Sequence, residues 1–263
     1  MNAQLGVRIE PREPQQGTGD STVVERIAAS SLREFISPRS RARITGVVYL
    51  LFFLTAIFGV FFMSGLVVSG DAAATANNIL AHEPSFRLGF ALGLISIACY
   101  VAVTALFYDL FKPVSRSLSL LAAFFSLVGL AIQAFAGLFQ LAPFVLLGGG
   151  PYLSVFRVEQ LQALALMFLN LNGQAYGIGL IFDGLFLLLI GYLIFRSTFL
   201  PRILGALIAV AGLGWLTFLS PPLANYLRPY ILVLGVLAEL ALMLWLLVMG
   251  VNVQRWKEQA SAA

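Results

Sequence analysis

The chain has 263 residues, of which 60% are hydrophobic and only 11% charged, and its mean hydropathy is +0.92. This composition excludes an ordinary soluble domain, because soluble chains carry roughly 25% charged residues. The 16 Lys and Arg residues outnumber the 12 Asp and Glu residues. They form short clusters beside apolar runs, so we attribute them to membrane topology and to anionic lipid, and expect no nucleic-acid partner.

The first 40 residues precede the apolar runs. Residues 1–20 have the Pro, Gln, Gly and Glu content of a disordered leader. From Ser21 to Ile36, apolar side chains recur at helical spacing with charged side chains opposite. This pattern predicts an amphipathic helix that Pro38 ends. We expect the helix to lie on the cytoplasmic lipid surface; the alternative is that it docks to a partner subunit.

Six apolar runs follow, and each approaches or exceeds the roughly 20 residues that a helix needs to cross a bilayer. With these runs as crossings, every Lys and Arg except Arg87, Arg157 and Arg228 falls on one side. Cytoplasmic loops collect Lys and Arg. The sequence therefore predicts an all-α membrane protein, a bundle of six transmembrane helices with both termini cytoplasmic. The runs are residues 44–68, 88–109, 117–146, 174–195, 202–219 and 230–250.

Two further segments are predicted to be helices on the outer face. Asp71 is a good N-cap for an alanine-rich helix over 71–83. A Gly-Pro stretch at 148–151 breaks the third crossing, and residues 154–171 then look helical again. A crossing there would turn the later basic residues outward, so we expect an outer-face or partly re-entrant helix instead. The predicted domains are 1–40 (leader and amphipathic helix), 41–256 (transmembrane) and 257–263 (tail).

Small residues recur every seven positions in two neighbouring crossings, at Gly177, Gly184 and Gly191 and again at Gly205 and Gly212. Such a stripe predicts a groove in which two helix backbones pack closely. The aromatic residues near the span ends are typical of interfacial anchors. They are Trp215, Trp245, Tyr192, Tyr226, Tyr230 and Trp256.

Several stretches between residues 41 and 256 share the order and spacing of a known pattern. They are residues 43–50, 70–79, 86–89, 112–114, 152–154, 160–165, 191–197, 200–205 and 239–251. Together they resemble a bacterial family of multi-pass membrane proteins, domain of unknown function number forty-three eighty-six. The chain departs from the family's pattern at Asp183, where the pattern has Phe, and at Met249, where it has Lys. The resemblance implies a bacterial inner-membrane protein and brings no activity, substrate or catalytic residue.

Two carboxyl groups are predicted near the bilayer midplane. Asp183 and Glu239 each lie about ten residues into a crossing, and a helix rises about 1.5 Å per residue. A carboxylate there costs about 2.5–3.5 kcal/mol, so such groups usually face the bundle interior and mark a function. We hypothesise a polar site formed by Glu239, Asp183 and Gln133. The alternative is two separate carboxyl groups with their own hydrogen-bond partners.

The residue inventory argues against an enzyme. The chain has one histidine, His82, and one cysteine, Cys99, so it lacks the ligand sets of structural zinc or of haem held by two histidines. We therefore expect no metal, no cofactor and no catalytic residue. Basic residues that flank the crossings are predicted to anchor the chain at the membrane surface. They are Arg39, Arg41, Arg43, Arg255 and Lys257.

Two classes of function remain. The first is a non-enzymatic binding or accessory protein of the bacterial inner membrane, packed against membrane lipid and against another membrane protein or itself. The alternative is a small transporter driven by protons or cations through Glu239 and Asp183. The chain shows no clear internal repeat of the kind that marks many transport sites.

Overall fold

The computed structural model describes residues 37–262. The chain divides into two units, Met1–Ser37 and Pro38–Ala263, and the description below concerns the second. The predicted leader at 1–20 and the predicted amphipathic helix at 21–36 lie outside the described residues.

All regular structure within residues 37–262 is helical, and six helices there are long and apolar enough to cross a membrane. The predicted six-helix membrane fold is therefore confirmed, while the side on which the termini lie stays a prediction. The helices are α1 (Pro38–Met63), α2 (Ala72–Ala81), α3 (Glu83–Phe111), α4 (Arg116–Leu147), α5 (Val158–Arg196), α6 (Arg202–Leu216), α7 (Pro221–Val248) and α8 (Val253–Ser261), with 3₁₀ turns at Pro151–Leu153 and Thr217–Leu219.

The predicted alanine-rich helix between the first two crossings forms as α2. The Asp71 side chain accepts a hydrogen bond of 2.8 Å from the backbone N–H of Ala74, which satisfies one of the free donors at the start of the helix. α2 ends at Ala81, two residues before the predicted end. The outer-face location of this helix stays a prediction.

The separate helix predicted at 154–171 is wrong. Those residues from Val158 onward are the first half of α5, which runs unbroken for 39 residues, about 58 Å. The predicted junction contains Asn172 and Gly173, and neither residue interrupts a helix, because even glycine costs only about 1 kcal/mol there. Asn172 also donates a 2.8 Å hydrogen bond to the carbonyl oxygen of Ala136 on α4, which holds the continuous helix against its neighbour.

Helices run across both predicted edges of the transmembrane domain, and the domain boundaries themselves stay predictions. Pro38, predicted to end a helix, is the first residue of α1, a position that needs no backbone N–H donor. The predicted boundary at 40/41 therefore falls inside α1. At the other end, α8 continues through the predicted boundary at 256/257, after the Asn252 side chain caps its first turn.

The six crossing helices close into a ring. Each packs against the next crossing in the chain, from α1 and α3 through to α6 and α7, and α7 packs back against α1. Aromatic side chains fill the interior: Tyr49 makes edge-to-face contacts with Tyr100 and Phe107, and Tyr100 contacts Phe186 in the same way. The centre of the bundle is therefore a packed core.

The predicted glycine groove between the fourth and fifth crossings is confirmed. A Cβ atom built on Gly184 of α5 would lie 2.9 Å from the carbonyl oxygen of Gly212 on α6, and one built on Gly212 would lie 2.8 Å from that of Gly184. Gly191 and Gly205 approach each other in the same way, at 2.7 Å. Backbone-to-backbone contact of this kind requires glycine on both helices.

Candidate functional site

Glu239 lies on the inner face of α7 and is 8% exposed. The hydroxyl group of Tyr49, a fully buried residue of α1, donates a hydrogen bond of 2.5 Å to Oε2 of Glu239. This bond joins the first crossing helix to the last. It therefore lies at the contact that closes the ring.

Two more side chains interact with the Glu239 carboxyl group: the hydroxyl of Tyr100 on α3 and the indole of Trp215 on α6. The indole ring lies over Gly235, where a Cβ atom would be 3.0 Å from Cζ2 of Trp215. Four helices thus meet at one carboxyl group. The Trp215 side chain is only 8% exposed and points into the bundle, although the residue lies at the end of α6; its predicted role as an interfacial anchor stays a prediction.

Asp183 lies on α5, where it faces α4. The side-chain amide of Gln133 on α4 donates a hydrogen bond of 2.5 Å to Oδ2 of Asp183. The two helices cross at Gly129 and Gly179, where a Cβ atom on either residue would lie 2.9 Å from the other's carbonyl oxygen. This close approach brings Gln133 and Asp183 within hydrogen-bonding distance.

The second carboxyl oxygen of Asp183 is different. Oδ1 is buried and has no hydrogen-bond partner among the described residues. A Cβ atom on Gly129 would lie only 2.7 Å from this oxygen, so it points at the α4 backbone. A buried acceptor without a donor costs about 1–3 kcal/mol.

The structure brings together part of the predicted site. Gln133 and Asp183 form one hydrogen-bonded pair, and Glu239 forms another with Tyr49. The Tyr100 ring contacts Tyr49 on one side and Phe186 of α5 on the other. A single shared site of Glu239, Asp183 and Gln133 stays a prediction.

Sequence reasoning missed Tyr49 and Tyr100. A signal was present only at Tyr100, which lies in the middle of its predicted crossing at 88–109; Tyr49 lies five residues after the start of the predicted crossing at 44–68. A buried tyrosine hydroxyl usually has a hydrogen-bond partner, so mid-span tyrosines predict a polar group on a facing helix. The pairing with Glu239 could not be read from sequence, because the two residues lie 190 positions apart.

Two of the predicted surface anchors bind the end of a helix, and a third binds the connection between α5 and α6. Arg39 and Arg43 on α1 donate hydrogen bonds of 3.4 and 3.2 Å to the carbonyl oxygens of Met249 and Val248, at the end of α7. Arg255 on α8 donates one of 3.3 Å to the carbonyl oxygen of Thr198. Cations at helix C-termini are favourable because the last carbonyl groups carry partial negative charge. The predicted contacts of these three residues, and of Arg41 and Lys257, with lipid stay predictions.

Within residues 37–262, no group of three or more His, Cys, Asp and Glu side chains is placed to hold a metal ion. The carboxyl groups inside the bundle accept hydrogen bonds from tyrosine and glutamine side chains.

The chain is similar to known proteins at the level of sequence. An uncharacterized protein of Archaeoglobus fulgidus is 27% identical over 153 residues, which cover 57% of this chain and 76% of that protein. No solved structure matches the chain. The family described as domain of unknown function (DUF4386) matches residues 44–250, from the first turns of α1 to the end of α7. The chain therefore belongs to this family of multi-pass membrane proteins.

Proposed function

We propose that the protein is a non-enzymatic binding or accessory subunit of an assembly in the bacterial inner membrane. The observation that carries the proposal is the use of the polar side chains inside the bundle. Tyr49 and Glu239 join α1 to α7, and Gln133 and Asp183 join α4 to α5. Both pairs hold helices together, which is a structural task.

The surroundings of Glu239 support this interpretation. Its carboxyl group interacts with side chains from three other helices, and the neighbouring aromatic rings fill the space around it. A substrate could replace these partners only if at least two helices moved apart. Closely packed interiors resist such changes, because each displaced contact must be replaced.

A partner would dock through the N-terminal tail. The predicted amphipathic helix at 21–36 directly precedes Pro38, where α1 begins. The tail can therefore be deleted up to residue 36 without removing any residue of α1. A longer deletion would remove Arg39, whose guanidinium group binds the end of α7.

Three forms of the protein test the proposal: the full chain, a deletion of residues 1–20, and a deletion of residues 1–36. Each is purified from native membranes in mild detergent, and its complexes are weighed and identified by mass spectrometry. We expect one membrane protein, another chain or a second copy, to co-purify at fixed stoichiometry with the first two forms and to be lost from the third. Thermal unfolding of the bundle should be the same in all three.

Retention of the partner by the form without residues 1–36 would move the docking surface to the bundle. Purification of all three forms without a partner, from native membranes and in lipid nanodiscs alike, would contradict the proposal.

One observation favours the alternative, a transporter driven by protons or cations. The buried Oδ1 atom of Asp183 has no hydrogen-bond partner among the described residues; a bound cation would give this oxygen a partner, and a proton would neutralise its charge. The test is ion-coupled uptake by the purified chain in liposomes, with Asp183→Asn and Glu239→Gln as variants. Uptake by the chain alone that Asp183→Asn abolishes would establish transport and overturn the accessory proposal.

A further inference from the structure

A cavity of about 450 Å³ lies at the end of the bundle where α3 turns into α4, under α8. Its walls include Lys112, Ser115 and Arg116 from the turn and Trp256 and Ala260 from α8. It is separate from both carboxyl pairs, none of whose residues line it.

The cavity wall is held in place by hydrogen bonds. The indole N–H of Trp256 donates a 3.0 Å hydrogen bond to the carbonyl oxygen of Leu110, at the end of α3. The other side of α8 is tied to the α5–α6 connection, where the backbone N–H of Thr198 donates to Oε1 of Gln259 at 3.1 Å. α8 is therefore fixed across the bundle end and keeps the cavity open.

The cavity carries positive charge. Lys112 Nζ lies 2.7 Å from Oδ1 of Asp109, so that charge is largely compensated. Arg116 is exposed, and no hydrogen bond, ion pair or ring contact within residues 37–262 involves its guanidinium group. One uncompensated guanidinium group therefore faces this space.

The depth of the cavity points to the source of its ligand. Phe111 is the last residue of one candidate membrane span and Arg116 is the first residue of the next. We therefore infer that the turn between them lies at the membrane surface, the level that indole rings also prefer. At that level an anion bound in the cavity would lie near the phosphates of the bilayer.

We propose that this cavity binds the phosphate group of an anionic phospholipid. Arg116 pairs with the phosphate, and the Trp256 ring packs against the glycerol end of the acyl chains. Guanidinium groups suit phosphate because their N–H groups can donate two parallel hydrogen bonds. The site goes beyond the proposed function, and it depends on no partner protein.

The test compares Arg116→Gln with Arg202→Gln. Arg202 is a matched control because it is the first residue of α6, at the same end of the bundle. Its substitution by Gln also removes one positive charge. Its guanidinium group lies over the Phe195 ring, away from the cavity. Native mass spectrometry of the full chain measures bound phosphatidylglycerol, phosphatidylcholine and inorganic phosphate separately.

We expect the unmodified chain to bind one phosphatidylglycerol in preference to phosphatidylcholine. Arg116→Gln should weaken that binding about fivefold, the effect expected for one basic residue at an anionic surface, and Arg202→Gln should change it less than twofold. Equal losses of phosphatidylglycerol binding in the two variants would show that the lipid is attracted by the overall positive charge of this end of the bundle, and would overturn the proposed site. Arg116-dependent binding of inorganic phosphate without lipid binding would overturn the lipid as the ligand.

Discussion

The two carboxyl groups inside the bundle are held in opposite ways. Glu239 lies where four helices meet, and side chains from three of them interact with its carboxyl group. Asp183 lies where two helices cross, with one donor from Gln133 and one buried oxygen without a partner. The comparison shows that a polar group in the membrane is satisfied when several helices converge on it. A crossing of two helices leaves part of it unpaired.

The two regions also differ in what brings their helices together. At Asp183 the α4 and α5 backbones touch through Gly129 and Gly179, so packing sets the geometry and the hydrogen bond follows. At Glu239, side chains as large as Tyr49 and Trp215 fill the space between helices, and the hydrogen bonds select how they pack. The Asp183 region should therefore be most sensitive to added volume, and the Glu239 region to lost polar groups.

The largest effect is expected from added volume beside Asp183. In Gly179→Ala, the new methyl group would lie 2.9 Å from the carbonyl oxygen of Gly129, and because this atom is backbone, α4 and α5 must separate. We expect a loss of about 1–3 kcal/mol in the free energy of unfolding, measured by titration with SDS in mixed micelles.

Gly173→Ala is the control, since a Cβ atom there has no neighbour within 4 Å on the same helix α5. It should stabilise the protein by about 0.5–1 kcal/mol, the usual advantage of alanine in a helix. Equal effects of the two substitutions would mean that α4 and α5 do not pack through their glycines.

Loss of a polar group should come next, in the Glu239 region. Tyr49→Phe removes the hydroxyl that donates to Oε2 of Glu239 and leaves the ring contacts in place. We expect a loss of about 1–2 kcal/mol, the range found for strong hydrogen bonds between membrane helices. Tyr230→Phe on α7 is the control, because its side chain is 70% exposed, and it should leave the unfolding curve unchanged. An unchanged free energy of unfolding in Tyr49→Phe would show that the Tyr49–Glu239 hydrogen bond does not stabilise the contact between α1 and α7.

The smallest changes in stability are expected when each carboxyl group is replaced by an amide, and these substitutions compare the two sites most directly. Glu239→Gln places an amide among hydroxyl and indole donors, and we expect a loss of about 1 kcal/mol. Asp183→Asn keeps an acceptor for Gln133 and replaces a carboxyl group that has one buried, unpartnered oxygen by a neutral amide, so stability should hold or rise slightly. Both are compared by thermal unfolding followed by Trp fluorescence. A larger loss of stability in Asp183→Asn than in Glu239→Gln would contradict the comparison.

Much of the fold could be predicted because it is encoded locally. The length and apolarity of the runs predict six crossings, Asp71 predicts the start of α2, and the glycines at intervals of seven predict the α5–α6 groove. Each of these features depends on residues close together in the chain. The prediction failed at 154–171, where one continuous helix was divided into two. A pattern of apolar residues indicates which part of a helix lies in lipid, and it says little about whether the same helix continues outside the lipid.

The candidate site was predicted only in part, since its contacts join distant segments. The sequence predicted Asp183 and Glu239 near the bilayer midplane and grouped Gln133 with them, and the structure then paired Gln133 with Asp183. The partner of Glu239 is Tyr49, which lies 190 residues away on the helix that closes the ring.

By itself the sequence determined that the chain is a multi-pass membrane protein and how many helices it uses, and it predicted which carboxyl groups lie inside the bundle. These features depend mainly on the transfer of individual side chains between water and hydrocarbon. Only the tertiary structure decided which donors meet each carboxyl group. That outcome depends on how six helices are arranged around one axis, and neighbours in the chain do not specify it.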